Sequence, residues 1–274
     1  MNTPSSPSPA LEVPPVSLAV TSFNEQSRIG KCLASARGLV REIVVVDSGS
    51  TDGTIALAEA AGARIISQPW LGHSAQKQVA IDHCTQPWVL LLDCDEELSE
   101  KLLASILKFF RSGDVEWFNG CRFNRKVCFL GRWITHGDWY PDAKLRLVRR
   151  EKARMGGNAA HDTVLVEGAV KHLRGDLHHD SYPTIQSYLD KIGPFADEFV
   201  ERQNLQGKSW SLSANLLRPL WRFVRAYFLR LGFLDGFPGF WIAYATSFSV
   251  FVRYSRKYEK EVPQRMHEEV CNGK

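Results

Sequence analysis

Trp88-Val-Leu-Leu-Leu-Asp-Cys-Asp95 is the stretch on which the fold reading turns. Five apolar residues in a row, without alternation, suit a strand buried on both faces, and such strands belong to parallel sheets covered by helices. The run then breaks into two carboxylates one residue apart. Upstream the same pattern occurs twice. Val16-Ser-Leu-Ala-Val20 leads into Thr21-Ser-Phe-Asn-Glu25, and Ile43-Val-Val-Val46 leads into Asp47-Ser-Gly-Ser-Thr-Asp-Gly53. Helical spacing runs through Ile29, Leu33 and Ala36, over Thr54–Ala61 and over Ser74–Cys84, with Arg64-Ile-Ile66 as a further strand. This alternation predicts an α/β fold with a mostly parallel, doubly wound sheet. Ligands of such sheets bind beyond the carboxyl ends of the strands. Three polar loops therefore converge on one edge, and that edge is the expected site. A helix is predicted from about Ser99 to Phe110, an antiparallel second half over 117–175, and helix from Thr184 onward.

Asp93 and Asp95, at the end of an apolar strand, can together reach a hard divalent cation, which typically bridges carboxylates to substrate phosphates. Two solvated acids opening the next helix would look the same in sequence, since Asp95, Glu96 and Glu97 also suit a helix N-terminus. Asp47 can accept hydrogen bonds from a nucleobase N–H and a ribose hydroxyl. Asp52, in the same turn, reads equally well as a helix cap.

Composition narrows the field. The 274 residues are 44% hydrophobic and 23% charged with a net charge of +4, which describes a globular chain and gives no reason to expect nucleic acid as a partner. Six cysteines without CxxC spacing predict reduced thiols rather than a disulfide scaffold or structural zinc. Residues 1–15, rich in Pro and Ser and lacking Lys and Arg, are expected to form a disordered leader and not an export signal, so the catalytic part is expected in the cytosol.

Thr21-Ser-Phe-Asn-Glu25, Val44-Val-Val-Asp-Ser-Gly-Ser-Thr-Asp-Gly-Thr54 and Leu91-Leu-Asp-Cys-Asp-Glu96, in this order and spacing, resemble the inverting family 2 glycosyltransferases with the GT-A fold. The resemblance covers about residues 16 to 175. Gly137-Asp-Trp-Tyr-Pro-Asp-Ala-Lys-Leu-Arg-Leu-Val-Arg149 and Ala160-His-Asp162 are similar to the subfamily that adds a β-linked glucose to the lipopolysaccharide inner core. It implies a GT-A domain over 16–183, a nucleotide-sugar donor (commonly UDP-linked), a Mg²⁺ or Mn²⁺ ion, and a membrane-borne glycolipid acceptor.

Carried over residue by residue, the resemblance puts Thr21 and Glu25 along the nucleotide and Asp47 on its base. Lys77 would lie near the diphosphate, unless it is an exposed helix lysine. Asp93 would meet ribose or metal-bound water, Asp95 would be the direct metal ligand, and Cys94 would be structural. Inversion requires a base beside the acceptor hydroxyl, and Asp162 stands where the family supplies one. His179 matches a His that precedes a helix in similar proteins and is a candidate metal ligand. On the acceptor side, Trp139 and Tyr140 could stack on sugar and Arg146 could hold a phosphate, against the alternatives of packing and a solvated basic face.

The region 184–274 reads as helical and membrane-associating. Arg218, Arg222 and Arg225 share one helical face among aromatics. The uncharged stretch 236–252 is at the lower limit for a span and is interrupted by Pro238 and Gly239, so a buried or interfacial helix is expected. Both suit peripheral attachment to the inner face of the cytoplasmic membrane. Rival readings are a polyprenyl-phosphate glycosyltransferase, a nucleotidyltransferase and a non-catalytic scaffold.

Overall fold

The computed structural model describes residues 13–158, 161–182 and 184–271; side chains at 157, 158, 161 and 162 and from 263 onward are outside the described set, as is most of the expected leader. The first half alternates β1 (Val16–Ser22), α1 (Ile29–Ser35), β2 (Glu42–Asp47), α2 (Thr54–Ala60), β3 (Arg64–Ser67), α3 (His73–His83) and β4 (Trp88–Asp93). Then follow β5 (Glu96–Leu98), α4 (Glu100–Arg111), β6 (Gly120–Phe129), β7 (Arg132–Trp133) and β8 (Asp142–Arg149). The strands close with β9 (Ala153–Asn158), β10 (His161–Val166) and β11 (Val170–Tyr182), before α5 (Ile185–Leu205), α6 (Leu212–Val224) and α7 (Gly236–Cys271).

The chain divides into two compact units, with the chain passing between them within β6, at the start of β8 and within β11. One comprises the chain up to Asn124 with Ala143–His178; the other comprises Arg125–Asp142 with the chain from His179 on.

In the first unit the sheet runs β3-β2-β1-β4-β8-β6-β11-β5. The four strands β3, β2, β1 and β4 are parallel, and β8 joins β4 antiparallel. This is the α/β arrangement expected of the GT-A fold. The continuous apolar runs are explained by two cores that share each strand in alternation. Leu18, Val20, Val45, Trp88, Leu90 and Leu92 face one core, closed by Leu33 of α1 and Leu102, Ile106 and Phe109 of α4. Ala19, Val44, Val46, Val89 and Leu91 face the other, closed by Ala80 and Ile81 of α3. Helix α4 starts on Ser99, whose hydroxyl accepts from the Leu102 N–H. Glu96, expected at a helix start, instead belongs to strand β5. Asp162 is in strand β10, opposite Gly157 of β9.

The second unit packs α7 against both α5 and α6. Its core is threaded along α7, where Ile242 meets Phe129 and Ile134, Ala245 meets Tyr188 and Ile192, and Tyr254 meets Phe199 and Val200. The stretch 236–252 is therefore the front of one 36-residue helix with a buried side. Gly239 serves a close approach, since a Cβ there would collide with the Gly232 carbonyl oxygen. Among the described residues, no helix is long and apolar enough to cross a membrane. The expected basic face of α6 is also corrected. Arg222 and Arg225 bind Asp138, the exposed Arg218 lies over the Tyr254 ring, and the exposed large apolar residues are Leu212, Leu216, Leu217, Leu220 and Trp221. Leucines in an amphipathic helix mark a buried stripe by default, which is why the sequence reading assigned the surface to the arginines.

At the amino end of the parallel strands, Glu42 accepts from the hydroxyls of Ser17 and Thr85, the Thr85 N–H and the Arg64 guanidinium. Burial pushes this carboxyl up, but the hydrogen bonds outweigh it and lower it from 4.5 to about 2. A carboxylate depressed on folding lends stability that is fully present above its unfolded pKa and is lost as pH falls through the folded one. Urea titration should therefore show Glu42→Gln to lose less stability than wild type as pH drops from 4.5 toward 2.

Candidate active site

Backbone register sets the site. Ser22 of β1 is level with Asp47 of β2, and Thr21 is level with Asp93 of β4. The three carboxyl-end loops thus meet, as in an open sheet whose ligand lies beyond the strands.

Asp47 is buried, and its two oxygens are engaged within the protein. Oδ1 accepts the N–H groups of Gly49 (2.9 Å) and Ser50 (2.7 Å), and Oδ2 accepts the hydroxyls of Ser22 (2.7 Å) and Ser50 (2.6 Å). Burial raises the carboxyl, and these donors, Ser50 foremost, bring it below its ordinary range. The neighbouring loops are zipped together. The Thr51 N–H donates to Asn24 Oδ1 at 2.9 Å, the Asn24 N–H to Ser50 Oγ at 2.8 Å and the Glu25 N–H to Thr54 Oγ1 at 2.8 Å. Asn24 holds a left-handed φ of 54° here, a conformation Asn tolerates. Asp52 accepts from the N–H and hydroxyl of Thr54 at the start of α2, and from the Gln26 N–H, so it acts as cap and tie.

Asp93 sits between two cations. Lys77 Nζ lies 2.5 Å from Oδ1, and Arg146 Nη2 lies 2.7 Å from Oδ2 and 2.8 Å from Glu96 Oε1. Glu96, fully buried, also accepts the Asp93 N–H through Oε2 at 3.1 Å. Lys77 is buried and faces inward from α3, which removes the exposed-lysine alternative. Its neighbour Gln76 donates to Ser48 Oγ at 3.0 Å, so one helix holds both the β2 and β4 loops. Arg146, expected on the acceptor side, is buried against Asp93 and Glu96. Cys94 donates its Sγ to the Thr21 carbonyl at 3.3 Å, pinning the β4 loop to β1, and burial pushes its thiol up. The five described cysteines are free thiols.

Asp95 is half-buried in the same loop. Burial raises the Glu25 carboxyl, Arg28 lowers it, and the charges of Asp95 and Asp52 raise it again, leaving it above the usual range. Carboxylates that repel one another at a strand end are a setting that a divalent cation relieves. Among the described residues no group of three or more His, Cys, Asp and Glu is gathered as a ligand cage. Mg²⁺ needs no such cage, being held by one or two carboxylates with substrate phosphates and water. Asp95 with its acidic neighbour fits that donor set.

The Asp162 side chain lies outside the described residues. Its strand pair, β9 and β10, packs on α3, where Gln78 Oε1 accepts the Met155 N–H at 2.7 Å. The helix that delivers Lys77 thus also seats the hairpin bearing Asp162.

The remaining candidates belong to the second unit. His179 is buried in β11. Trp139 is enclosed by Phe129 at 5.5 Å, by Tyr182 stacked at 5.0 Å and by Tyr188 at 5.7 Å, so its ring is committed to packing. Tyr140 follows it in the same loop. Sequence reasoning missed Glu96: only the structure shows Cys94, Glu96 and Leu98 buried while Asp95 and Glu97 are less so, a period-two strand pattern carrying an acid on its inward face. It also missed Asp138, whose fully buried carboxylate collects Arg222, Arg225 and Arg230.

Removing one partner of a buried ion pair typically costs about 3–5 kcal/mol. Arg146→Ala, which takes the guanidinium from the buried Glu96, should lower unfolding stability by about 3 kcal/mol in urea. The double variant Arg146→Met/Glu96→Gln should lose less than the sum of its single changes.

The family model for glycosyl transferase family 2 matches residues 17–173. A lipopolysaccharide core biosynthesis glycosyltransferase of Rhizobium meliloti, LpsC, is 30% identical over 90% of this chain and 96% of its own. An uncharacterised glycosyltransferase of Rickettsia typhi is 28% identical over 91% and 89%. Among solved structures, S. aureus TarS 1–349 with UDP-GlcNAc is similar at 14% identity and a TM-score of 0.48, covering 91% of each chain. Glucosyl-3-phosphoglycerate synthase of Mycobacterium tuberculosis, in complex with Mn²⁺, UDP and its product, is similar at 19% identity and a TM-score of 0.43, covering 65% of this chain and 74% of that one. With its motifs converging at the ends of β1, β2 and β4 and the family model matching more than half its length, the chain belongs to glycosyl transferase family 2.

Proposed function

We propose that this glycosyltransferase moves a hexose, with glucose the expected sugar, from a UDP-linked donor to a membrane-borne glycolipid such as the lipopolysaccharide inner core, with inversion at the anomeric carbon. The observation that carries the reading is the ion cluster at the end of β4. Lys77 and Arg146 meet the charge of Asp93 while Asp95 stands beside Glu25, so the loop offers one carboxylate locked in place and another in an acidic pocket. The 30% identical relative in lipopolysaccharide core biosynthesis supports the acceptor class.

In this reading Thr21 and Glu25 line the nucleotide. Asp47 shapes the loop that receives the base, because its oxygens already hold Ser22, Gly49 and Ser50. Asp95 would hold Mg²⁺ or Mn²⁺. When bound, the ion would neutralise charge on the departing nucleoside diphosphate. Asp162 takes the proton of the acceptor hydroxyl. The acceptor oxygen then bonds the anomeric carbon as the bond to the diphosphate oxygen breaks, and the nucleoside diphosphate leaves carrying the electron pair. Tyr140 and the loop around Trp139 face the acceptor. The helical region from 184 on works at the inner face of the cytoplasmic membrane.

The test is a panel of nucleotide sugars scored for metal-dependent release of nucleoside diphosphate, in which a UDP-hexose should be turned over fastest. Asp95→Ala should lose metal-dependent donor binding by calorimetry with an unchanged unfolding curve; unchanged metal dependence would remove Asp95 from the metal. Asp162→Asn should cut turnover by about 10²–10⁴-fold with donor affinity retained. Asp162→Glu should recover part of that loss. Near wild-type turnover in Asp162→Asn would place the base elsewhere.

A further inference from the structure

The end of α6, the π-helical turn Arg225–Leu229, the 3₁₀ turn Gly232–Asp235 and the start of α7 carry an unbroken chain of ring contacts. Phe228 meets Phe223 at 6.2 Å, Phe223 and Tyr227 meet Phe240 at 6.2 and 5.7 Å, Tyr227 meets Phe233 at 6.1 Å, and Phe240 stacks on Tyr244 at 6.4 Å. Four of these rings, Phe228, Phe233, Phe240 and Tyr244, are exposed, Tyr244 by 62%. The same turns expose Trp221, Leu229, Leu234 and Phe237. Large contiguous apolar patches are rare on proteins that stay in water.

The segment is rigidly held. Asp138, with no exposed side-chain surface, binds Arg222 at 2.5 Å, Arg225 at 2.9 Å and Arg230 at 3.4 Å. Asp235, also buried, accepts the N–H groups of Thr135 at 3.0 Å and His136 at 2.8 Å. Two carboxylates thus staple the ring-bearing turns to the loop that carries Trp139 and Tyr140.

We propose that this aromatic face is a lipid-insertion surface that lies in the plane of an anionic bilayer, at the boundary of headgroups and acyl chains. Three observations select lipid as the occupant. Between Gln206 and Tyr258 the chain has eight Lys and Arg and a single acid, Asp235. This excess outlasts the pairing of Arg222, Arg225 and Arg230 with Asp138, of Arg256 with Asp197 and Glu259 and of Lys257 with Glu261. A second copy would therefore bring like charge against like charge, whereas anionic headgroups complement it. Phe, Trp and Tyr with flanking arginines are the side chains suited to that boundary. No helix among the described residues is long and apolar enough to cross, which fits insertion in the plane. The inference rests on the membrane-borne acceptor reading and deepens it: through Asp138 and Asp235, the inserted turns would hold the Trp139–Tyr140 loop at the lipid surface.

The test is co-sedimentation of the full chain with phosphatidylcholine vesicles, with and without phosphatidylglycerol. Wild type should bind the mixed vesicles and keep a measurable fraction bound in about 0.5 M NaCl, where charge attraction is screened. Phe228→Glu/Tyr244→Glu should lower the bound fraction by about tenfold or more. Leu229→Glu, at a 62% exposed position, should lower it by less and guards against a folding defect in the double variant. Wild-type sedimentation by all the variants would overturn the proposal, as would complete release of wild type by salt. So would a lipid-free dimer that Tyr244→Glu dissolves. Metal-dependent release of UDP from soluble donor, measured on the same samples, separates the two readings. If release persists while vesicle binding fails, the surface assignment falls and the transferase stands; vesicle binding without release means the reverse.

Discussion

The carboxylate of Asp93, gripped by Lys77 on one oxygen and Arg146 on the other, is the contact on which the arrangement of the site depends. It joins elements far apart in the chain: Asp93 ends the parallel strand β4, Lys77 comes from α3, Arg146 from the antiparallel strand β8 and Glu96 from β5. A slip of one residue in the β4–β8 pairing, which sets Leu90 opposite Leu147, would turn Arg146 to the other face of the sheet. Apolar packing alone tolerates such slips better than a cluster that must place two positive and two negative groups. The ion cluster therefore fixes register where parallel and antiparallel halves meet, which is where the loop carrying Asp95 begins.

The loops around that cluster are held by hydrogen bonds more than by packing. Asp47, Asn24, Asp52 and Gln26 spend their side chains on neighbouring N–H groups, in part across the β1 and β2 loops. A loop so tied is already organised when a ligand arrives, and catalytic groups held in place cost no reorganisation during reaction. Polar residues at a strand end thus do two kinds of work, some shaping the cleft and some facing into it. Sequence alone does not sort them. Asp47 and Asp95 both follow apolar strands, yet the first is enclosed by its own turn and the second stays half-exposed.

The parallel half was legible because each strand is buried on both faces, so its apolar run is continuous and unmistakable. Helix α3 was legible as a helix but not in its orientation. Its inward face carries Gln76 and Lys77 beside Ala80 and Ile81, and a buried lysine reads as a surface one until its partner is seen. Glu96 was hidden for the same reason, since its partner Arg146 lies 50 residues on. On α6 the usual rule is inverted. Arg222 and Arg225 turn toward Asp138 while Leu212, Leu216, Leu217 and Leu220 turn toward solvent, and no local spacing encodes that, because the deciding residue sits in a loop more than 80 residues earlier.

That inversion bears on what the helical region is for. Ile242, Ala245 and Tyr254 of α7 supply cores that also contain Phe129, Ile134, Tyr188 and Phe199, so the region after Gly207 is a structural part of its unit and not an appendage. A buried aspartate surrounded by three arginines is expensive to desolvate, and a fold that needed only a core would place apolar residues there. What the cluster accomplishes is to leave the opposite side of the same turns apolar while keeping positive charge close behind it. A purely basic face would be attracted to anionic lipid without entering it, and a purely apolar one would enter without preference for charge. The turns from Trp221 to Phe240 combine both properties in one rigid element, and the Asp138 and Asp235 staples transmit its position to the loop bearing Trp139 and Tyr140.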